Sequence, residues 1–165
     1  MKLNNDYEVN ARTIYIENAY HEHFRTKIND IDGIFFSTKS AIQLLDDACL
    51  DDCADYRSRR RAVKEGVGIH QKIPIPVIPI EKVYAVPTHS PNHDDNVWFF
   101  AEYYLYCKPL GKEKAEIFFN NGSSLIVSVS AYTIERQIER AGRCILRFSP
   151  INHLGFWLNK PSHIR

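Results

Sequence analysis

Tyr56-Arg57-Ser58-Arg59-Arg60-Arg61-Ala62-Val63-Lys64 carries five positive charges and no negative one, in a chain of formal net charge +1. In a helix, Arg57, Arg60, Arg61 and Lys64 follow i, i+3, i+4, i+7 and share one face. Cations that close repel one another, so the pattern costs folding stability unless a polyanion meets it. The ordinary alternative is a solvated basic face ending a helix, where cations suit the helix dipole. A second row, Arg136, Arg140, Arg143 and Arg147, repeats at helical spacing. Arginine offers a planar fork of donors suited to phosphates and narrow grooves. Two arginine-bearing helical faces in one small chain point toward nucleic acid.

Other chemistries have weaker support. Cys49 and Cys53 stand at i, i+4 with His70 downstream, but no second cysteine pair follows at zinc-ligand spacing; buried or half-buried thiols are the simpler account. His89, His93, Asp94 and Asp95 could serve a metal-dependent nuclease. One polar loop supplies all four, however, and no general base elsewhere completes the site. His21-Glu22-His23 has no third ligand in view. The chain holds no glycine-rich phosphate loop and no nucleophile elbow. An enzyme is therefore not expected, nor a metal or cofactor. A protein-interaction module fits the composition equally well but gives no use to two arginine rows.

At 165 residues, 44% hydrophobic and 25% charged, the chain is long and apolar enough to fold as one domain with a substantial core. The run Val97 to Cys107 comes nearest to a membrane span, and Glu102 breaks it. The first residues lack the apolar core of a signal peptide. The expectation is a cytoplasmic protein that keeps away from membranes, with its four cysteines as thiols.

The rows need elements to hold them. Tyr7–Asn10, Thr13–Ile16 and Ile34–Phe36 read as short strands. Ala19 to Asp30 is ambiguous. Ser40 with Gln43 makes a capping box, and Ile42, Leu45 and Cys49 follow on one helical face. The pattern continues through Tyr56 toward Gly66 and Gly68, as one helix or two. Acidic Asp46 to Asp55 precedes the basic stretch, which hides a basic patch inside a near-neutral total. Lys72 to Ile80, with its alternating prolines, must be extended chain packed on the domain. Val83–Val86 reads as a strand, His89–Asn96 as a polar loop. Val97 to Tyr106 reads as the strongest strand, with Val97, Phe99, Ala101, Tyr103 and Leu105 on one face. In the hairpin that follows, a three-residue loop Asn120-Asn121-Gly122 segregates Ala115, Ile117, Phe119, Leu125, Val127 and Val129 cleanly and puts Gly122 where a left-handed residue is needed. Ser130 caps a second helix to about Arg147. Its apolar stripe is Ile134, Ile138, Ala141, Ile145 and Phe148. The arginine row lies about 200° round from it, on the opposite side. The fold class is α+β: an antiparallel sheet carrying two amphipathic helices in a single domain.

Tyr7-Glu8-Val9-Asn10, Tyr56 with Arg59 and Arg60, and Lys72-Ile73-Pro74-Ile75-Pro76-Val77 occur in this order. Pro87-Thr88-His89-Ser90 ahead of Trp98, Phe119-Asn120-Asn121-Gly122, and Ser130 with Gln137 and Arg140 follow. In order and spacing the chain resembles the ComK family, competence transcription factors of Gram-positive bacteria. The resemblance implies one DNA-binding domain over 1–165, with a short C-terminal tail after about 148, that activates genes for DNA uptake. It implies binding of double-stranded DNA at paired A/T-rich boxes, largely through the minor groove, as a homo-oligomer (dimer or tetramer on DNA). RNA polymerase and a proteolytic adaptor are further implied partners. Longer members carry a C-terminal extension used in self-association and in capture by that adaptor. The expected DNA-binding residues are Arg57, Arg59, Arg60, Arg61, Lys64, Arg136, Arg140, Arg143 and Arg147.

Overall fold

A computed structural model of the chain describes residues 2–3 and 6–150. Strands β1 (Lys2–Leu3), β2 (Thr13–Asn18), β3 (Thr26–Asp30) and β4 (Gly33–Ser37) precede helices α1 (Ala41–Asp51) and α2 (Tyr56–Val67). β5 (Ile75–Ile78), β6 (Val83–Pro87) and β7 (Val97–Phe100) come next. β8 (Tyr104–Gly111), β9 (Lys114–Phe119) and β10 (Ser124–Val127) lead into α3 (Ala131–Phe148). The fold is α+β. The strands form two sheets, in the orders β1-β4-β3-β2-β7-β6-β5 and β10-β9-β8. All pairs are antiparallel except β1 with β4. The tail beyond residue 150 lies outside the described residues.

The larger sheet separates two cores. Ile16, Ile28, Trp98 and Phe100 pack with α1 and α2 on one face; Tyr15, Val97 and Phe99 pack with the small sheet on the other. β7 is thus buried on both faces, and truncating Trp98 or Phe99 to alanine would cost about 3–5 kcal/mol. β5 forms the far edge of the larger sheet, so Pro76 sits where a missing N–H is tolerated. α3 joins both cores, giving Ile134 and Ala141 to one and Cys144 to the other.

Local signals explain most element ends. The Ser40–Gln43 capping box forms in both directions, Gln43 N–H to Ser40 Oγ at 3.2 Å and Ser40 N–H to Gln43 Oε1 at 2.8 Å. A break at Asp52–Ala54, with Cys53 at φ 58°, separates α1 from α2. Asp55 restarts the helix by accepting from Ser58 N–H at 2.6 Å. Gly68 ends it in the left-handed region at φ 79°. The hairpin adopts the three-residue loop: Leu125 pairs with Ile117, Val127 with Ala115, and Gly122 has φ 89°.

Two expected strands are corrected. Tyr7–Asn10 joins no sheet; Tyr7 is instead pinned by its hydroxyl, which donates to Asp30 Oδ2 at 2.7 Å. The run Val97 to Tyr106 is broken by a 3-10 turn at Ala101–Tyr103, which carries the chain from one sheet to the other. Leu105, expected on the buried face, is 58% exposed.

Candidate nucleic-acid interface

On α2, Tyr56 and Val63 face the core and the cations take the remaining faces. Arg57, Arg61 and Lys64 are exposed and Arg60 is half-buried. They line a shallow groove along the helix, together with Asp55, Ser58 and Glu65. Arg61 Nε donates to Glu65 at 3.1 Å, an exposed i, i+4 pair worth a few tenths of a kcal/mol. Hydrogen bonds from Ser58, then the charge of Arg57, hold the Asp55 carboxyl below its usual range, so the helix starts on an anion. Arg59 differs from its neighbours. It turns toward α1 and pairs with Asp52, leaving its side chain 19% exposed.

On α3 the arginines do more than face solvent. Arg143 donates to the Val67 carbonyl at 2.7 Å, supplying a cation to the C-terminal end of α2. Arg140 reaches the Gln71 carbonyl at 3.4 Å and Gln137 Oε1 at 3.1 Å. Arg136 bonds the Tyr132 hydroxyl at 3.2 Å, and Arg147 lies 5.3 Å from the ring of its neighbour Phe148. The row is therefore on the flank of α3 toward α2, not diametrically opposite the core. The reason is rotational: the fully buried positions are Ile134, Gln137, Ala141 and Cys144. Arg140 stands three residues after one of these and four before another, so it borders the buried face.

Gln137, which lies outside the apolar stripe, determines this setting. It is buried, and its amide donates to the carbonyls of Lys72 at 2.9 Å and Pro87 at 2.7 Å. Its place at i+3 from Ile134 and i−4 from Ala141 was the available signal. It fixes α3 against the end of β6 and, together with Arg140, holds the Gln71–Lys72 segment.

The two rows do not merge. A Cβ on Gly66 would meet the Phe148 ring at 3.5 Å, so that side of α2 looks at α3. Lys64 precedes Gly66 by two residues, about 200° round the helix, and carries its row away from α3. Basic surface therefore borders α2 on two sides.

The other candidates fall elsewhere. Cys49 is buried, with its thiol pushed up to about 12 by burial, while Cys53 is exposed. His89 stacks on His93, with ring centroids 4.5 Å apart, and its Nδ1 meets the Thr88 hydroxyl at 2.7 Å. Its Nε2 meets the Ser128 carbonyl at 3.3 Å. This ties the polar loop to the end of β10. Among the described residues, no group of three or more His, Cys, Asp or Glu is arranged to hold a metal ion. No helix there is long and apolar enough to cross a membrane.

A model of the ComK protein family matches residues 4–151. The chain belongs to the ComK family. It is similar to the competence transcription factor of Bacillus subtilis (strain 168), 26% identical over 135 residues that cover 81% of this chain and 70% of that protein. No solved structure matches. Several residues that carry the ComK resemblance hold the scaffold: Arg59 pairs with Asp52, Gln137 bonds two carbonyls, and Asn120 donates from its backbone to Tyr103 at 2.9 Å.

Proposed function

We propose that this ComK-family chain is a competence transcription factor: a cytoplasmic, non-enzymatic protein that binds double-stranded DNA through one domain spanning 1–165. The name of the Bacillus subtilis relative supports the general role. The observation that carries DNA binding is the row Arg57, Arg60, Arg61 and Lys64, set side by side along the outer surface of α2. Arginines neutralise phosphates and release counterions. An arginine also fits the narrow, strongly negative minor groove of A/T-rich DNA. We assign that groove to the α2 row, where the guanidinium groups are freer. We assign phosphates to Arg136, Arg140, Arg143 and Arg147, several of which already hold protein groups. Paired boxes imply an oligomer on DNA. RNA polymerase and a proteolytic adaptor remain the further partners that the resemblance implies.

The test exchanges A·T for I·C pairs, which alters the major-groove pattern and leaves the minor groove nearly unchanged. In a gel shift, the I·C duplex should bind like the A/T duplex and better than a G/C duplex. Loss of binding on the exchange would refute minor-groove reading.

A further inference from the structure

Among the described residues the small sheet ends at β10, which pairs with β9 alone. The other edge is bordered by α3, where Cys107 Sγ of β8 reaches the Ala131 carbonyl at 3.6 Å. The hairpin register shows which backbone groups of β10 face outward. Phe119 N–H donates to the Ser123 carbonyl at 2.9 Å. Bonded and non-bonded pairs alternate along an antiparallel ladder, so Leu125 and Val127 point their backbone groups at Ile117 and Ala115. Ser124 and Ile126 turn theirs away from β9. Ser128 is next in that outward series, and its carbonyl already meets His89 Nε2 at 3.3 Å. The open run is therefore Ser124 to Ile126.

There is room beside it. Tyr15 of β2 stacks on Phe119 of β9, with centroids 5.4 Å apart, so the small sheet lies over β2. Because α3 packs on β6 and borders β8, β10 lies on the side toward β3. Asn29 of β3 and Ile34 of β4 continue the row from Tyr15 across the larger sheet, and Ile34 is 41% exposed. The larger sheet thus extends past β10 as a ledge. An unpaired edge above such a ledge is a template for an added strand.

The charges select that strand. Glu17, Asp94, Asp95 and Glu113 line a groove of about 330 Å³ beside Ile126–Ser128, and Lys114 is the one cation among its lining residues. Tyr20 stands in the same groove, 81% exposed, with its hydroxyl 3.1 Å from the Asp94 carbonyl. An aromatic ring among carboxylates suits an ammonium or guanidinium group. The same carboxylates repel phosphate, so the groove is not a second surface for DNA. The chain's own basic rows are helical and cannot add as strands.

We infer that the outer edge of β10 takes an extended basic segment of a different protein as a fourth, antiparallel strand. The segment's residue opposite Ile126 exchanges both backbone bonds with it. The residue before that one lies opposite Val127, which is buried on the inner face, so its side chain also turns inward and enters the groove. That residue is lysine or arginine. The inference does not rest on DNA binding, and no duplex enters its test.

The probe is the peptide acetyl-Thr-Arg-Val-Thr-Val-Thr-amide, with arginine set opposite Val127 and the first valine opposite Ile126. It is titrated to about 2 mM into the nitrogen-15-labelled full chain, and amide shifts are followed. Saturable shifts should gather on Ser124–Ser128. Methylating the backbone nitrogen of the first valine keeps its side chain but removes a strand bond, and should weaken binding roughly tenfold or more. Glutamate in place of the arginine should abolish it. The double variant Asp94→Lys, Glu113→Lys changes two exposed side chains, so it should melt like wild type and bind the arginine peptide roughly tenfold more weakly. No saturable shift on β10, equal binding of the methylated peptide, equal binding of the glutamate peptide, or a double variant that binds like wild type would each overturn the inference.

Discussion

Arg59 and Arg60 are neighbours in sequence, yet their replacements should fail in different ways. Arg60 belongs to the outer row of α2, so Arg60→Ala should remove one cation that lies against the duplex, and with it the release of about one condensed counterion, whether that cation sits in the groove or beside a phosphate. Each neutralised phosphate contributes about −0.9 to the slope of log affinity against log salt on duplex DNA. Losing one makes the slope shallower by about 0.9. Between about 50 and 200 mM salt, a fourfold range, the gap between wild type and variant should shrink about 3.5-fold. Arg59 instead neutralises Asp52, which caps the C-terminal end of α1, where a carboxylate meets the negative pole of the helix. Arg59→Ala leaves that carboxylate without its cation at a site partly withdrawn from water. Burial of a lone charge and loss of a charge-assisted bond together cost on the order of 1–3 kcal/mol, after allowing for the 35% exposure of Asp52. In a domain of this size that lowers the melting midpoint by roughly 3–10 °C. The slope should be unchanged. Differential scanning fluorimetry and a fluorescence-anisotropy salt titration on both variants decide it. If Arg59→Ala flattens the slope as much as Arg60→Ala, or Arg60→Ala does not flatten it, the division of labour on α2 is wrong.

Three further outcomes are expected. Gln137→Leu keeps the volume but strands the Lys72 and Pro87 carbonyls; urea unfolding should show a loss of about 2–4 kcal/mol. His89 has its pKa lowered, first by burial and then by His93, with Ser128 and Asp95 opposing and Lys72 adding to the shift. The unfolded state therefore binds the proton more readily. Stability should rise with pH between the lowered folded value and the ordinary value of about 6.5, and level off above it. His89→Gln should remove that slope in thermal melts taken across the window. On paired boxes, inserting half a helical turn should weaken binding by turning one box to the other side of the duplex. Equal affinity at all spacings in a gel shift would mean independent monomers.

What the sequence reveals depends on whether the signal is local. The Ser40–Gln43 box and the Asn120–Gly122 register follow from a few adjacent residues, and both form as expected. The start of α2 also had its signal, Asp55 with Ser58, but the continuous helical pattern around it left one helix or two equally open. The run Val97 to Tyr106 departs from the single strand expected of it because, Glu102 apart, it is apolar or aromatic from end to end. Alternation cannot show where a strand buried on both faces leaves one sheet for another. Tyr7–Asn10 has strand-like residues, but what fixes it is the Tyr7–Asp30 hydrogen bond, a contact between distant residues.

The rotation of α3 matters most for function. Counting only the apolar stripe puts the centre of its buried face at Ile134, between Ala141 and Ile145, and the arginines opposite. Including Gln137 and Cys144 turns the face toward α2 and brings Arg140 and Arg143 onto the carbonyls of Gln71 and Val67. These arginines then have two demands on them. A guanidinium has five N–H donors, and one or two bonds to protein carbonyls leave others to meet a phosphate. Such a group is held in place before DNA arrives, so it loses less side-chain freedom on binding than an arginine extended into water. It is also less able to swing into a narrow groove. The α2 row is set differently: Arg57, Arg61 and Lys64 are exposed, and Arg61 meets only the exposed Glu65 of its own helix. On the proposed reading, the held arginines meet phosphates at fixed positions along a backbone and the exposed ones enter the groove. The setting of Arg140 beside the Gln71–Lys72 segment depends on one buried glutamine, which hydrophobicity alone discards as polar.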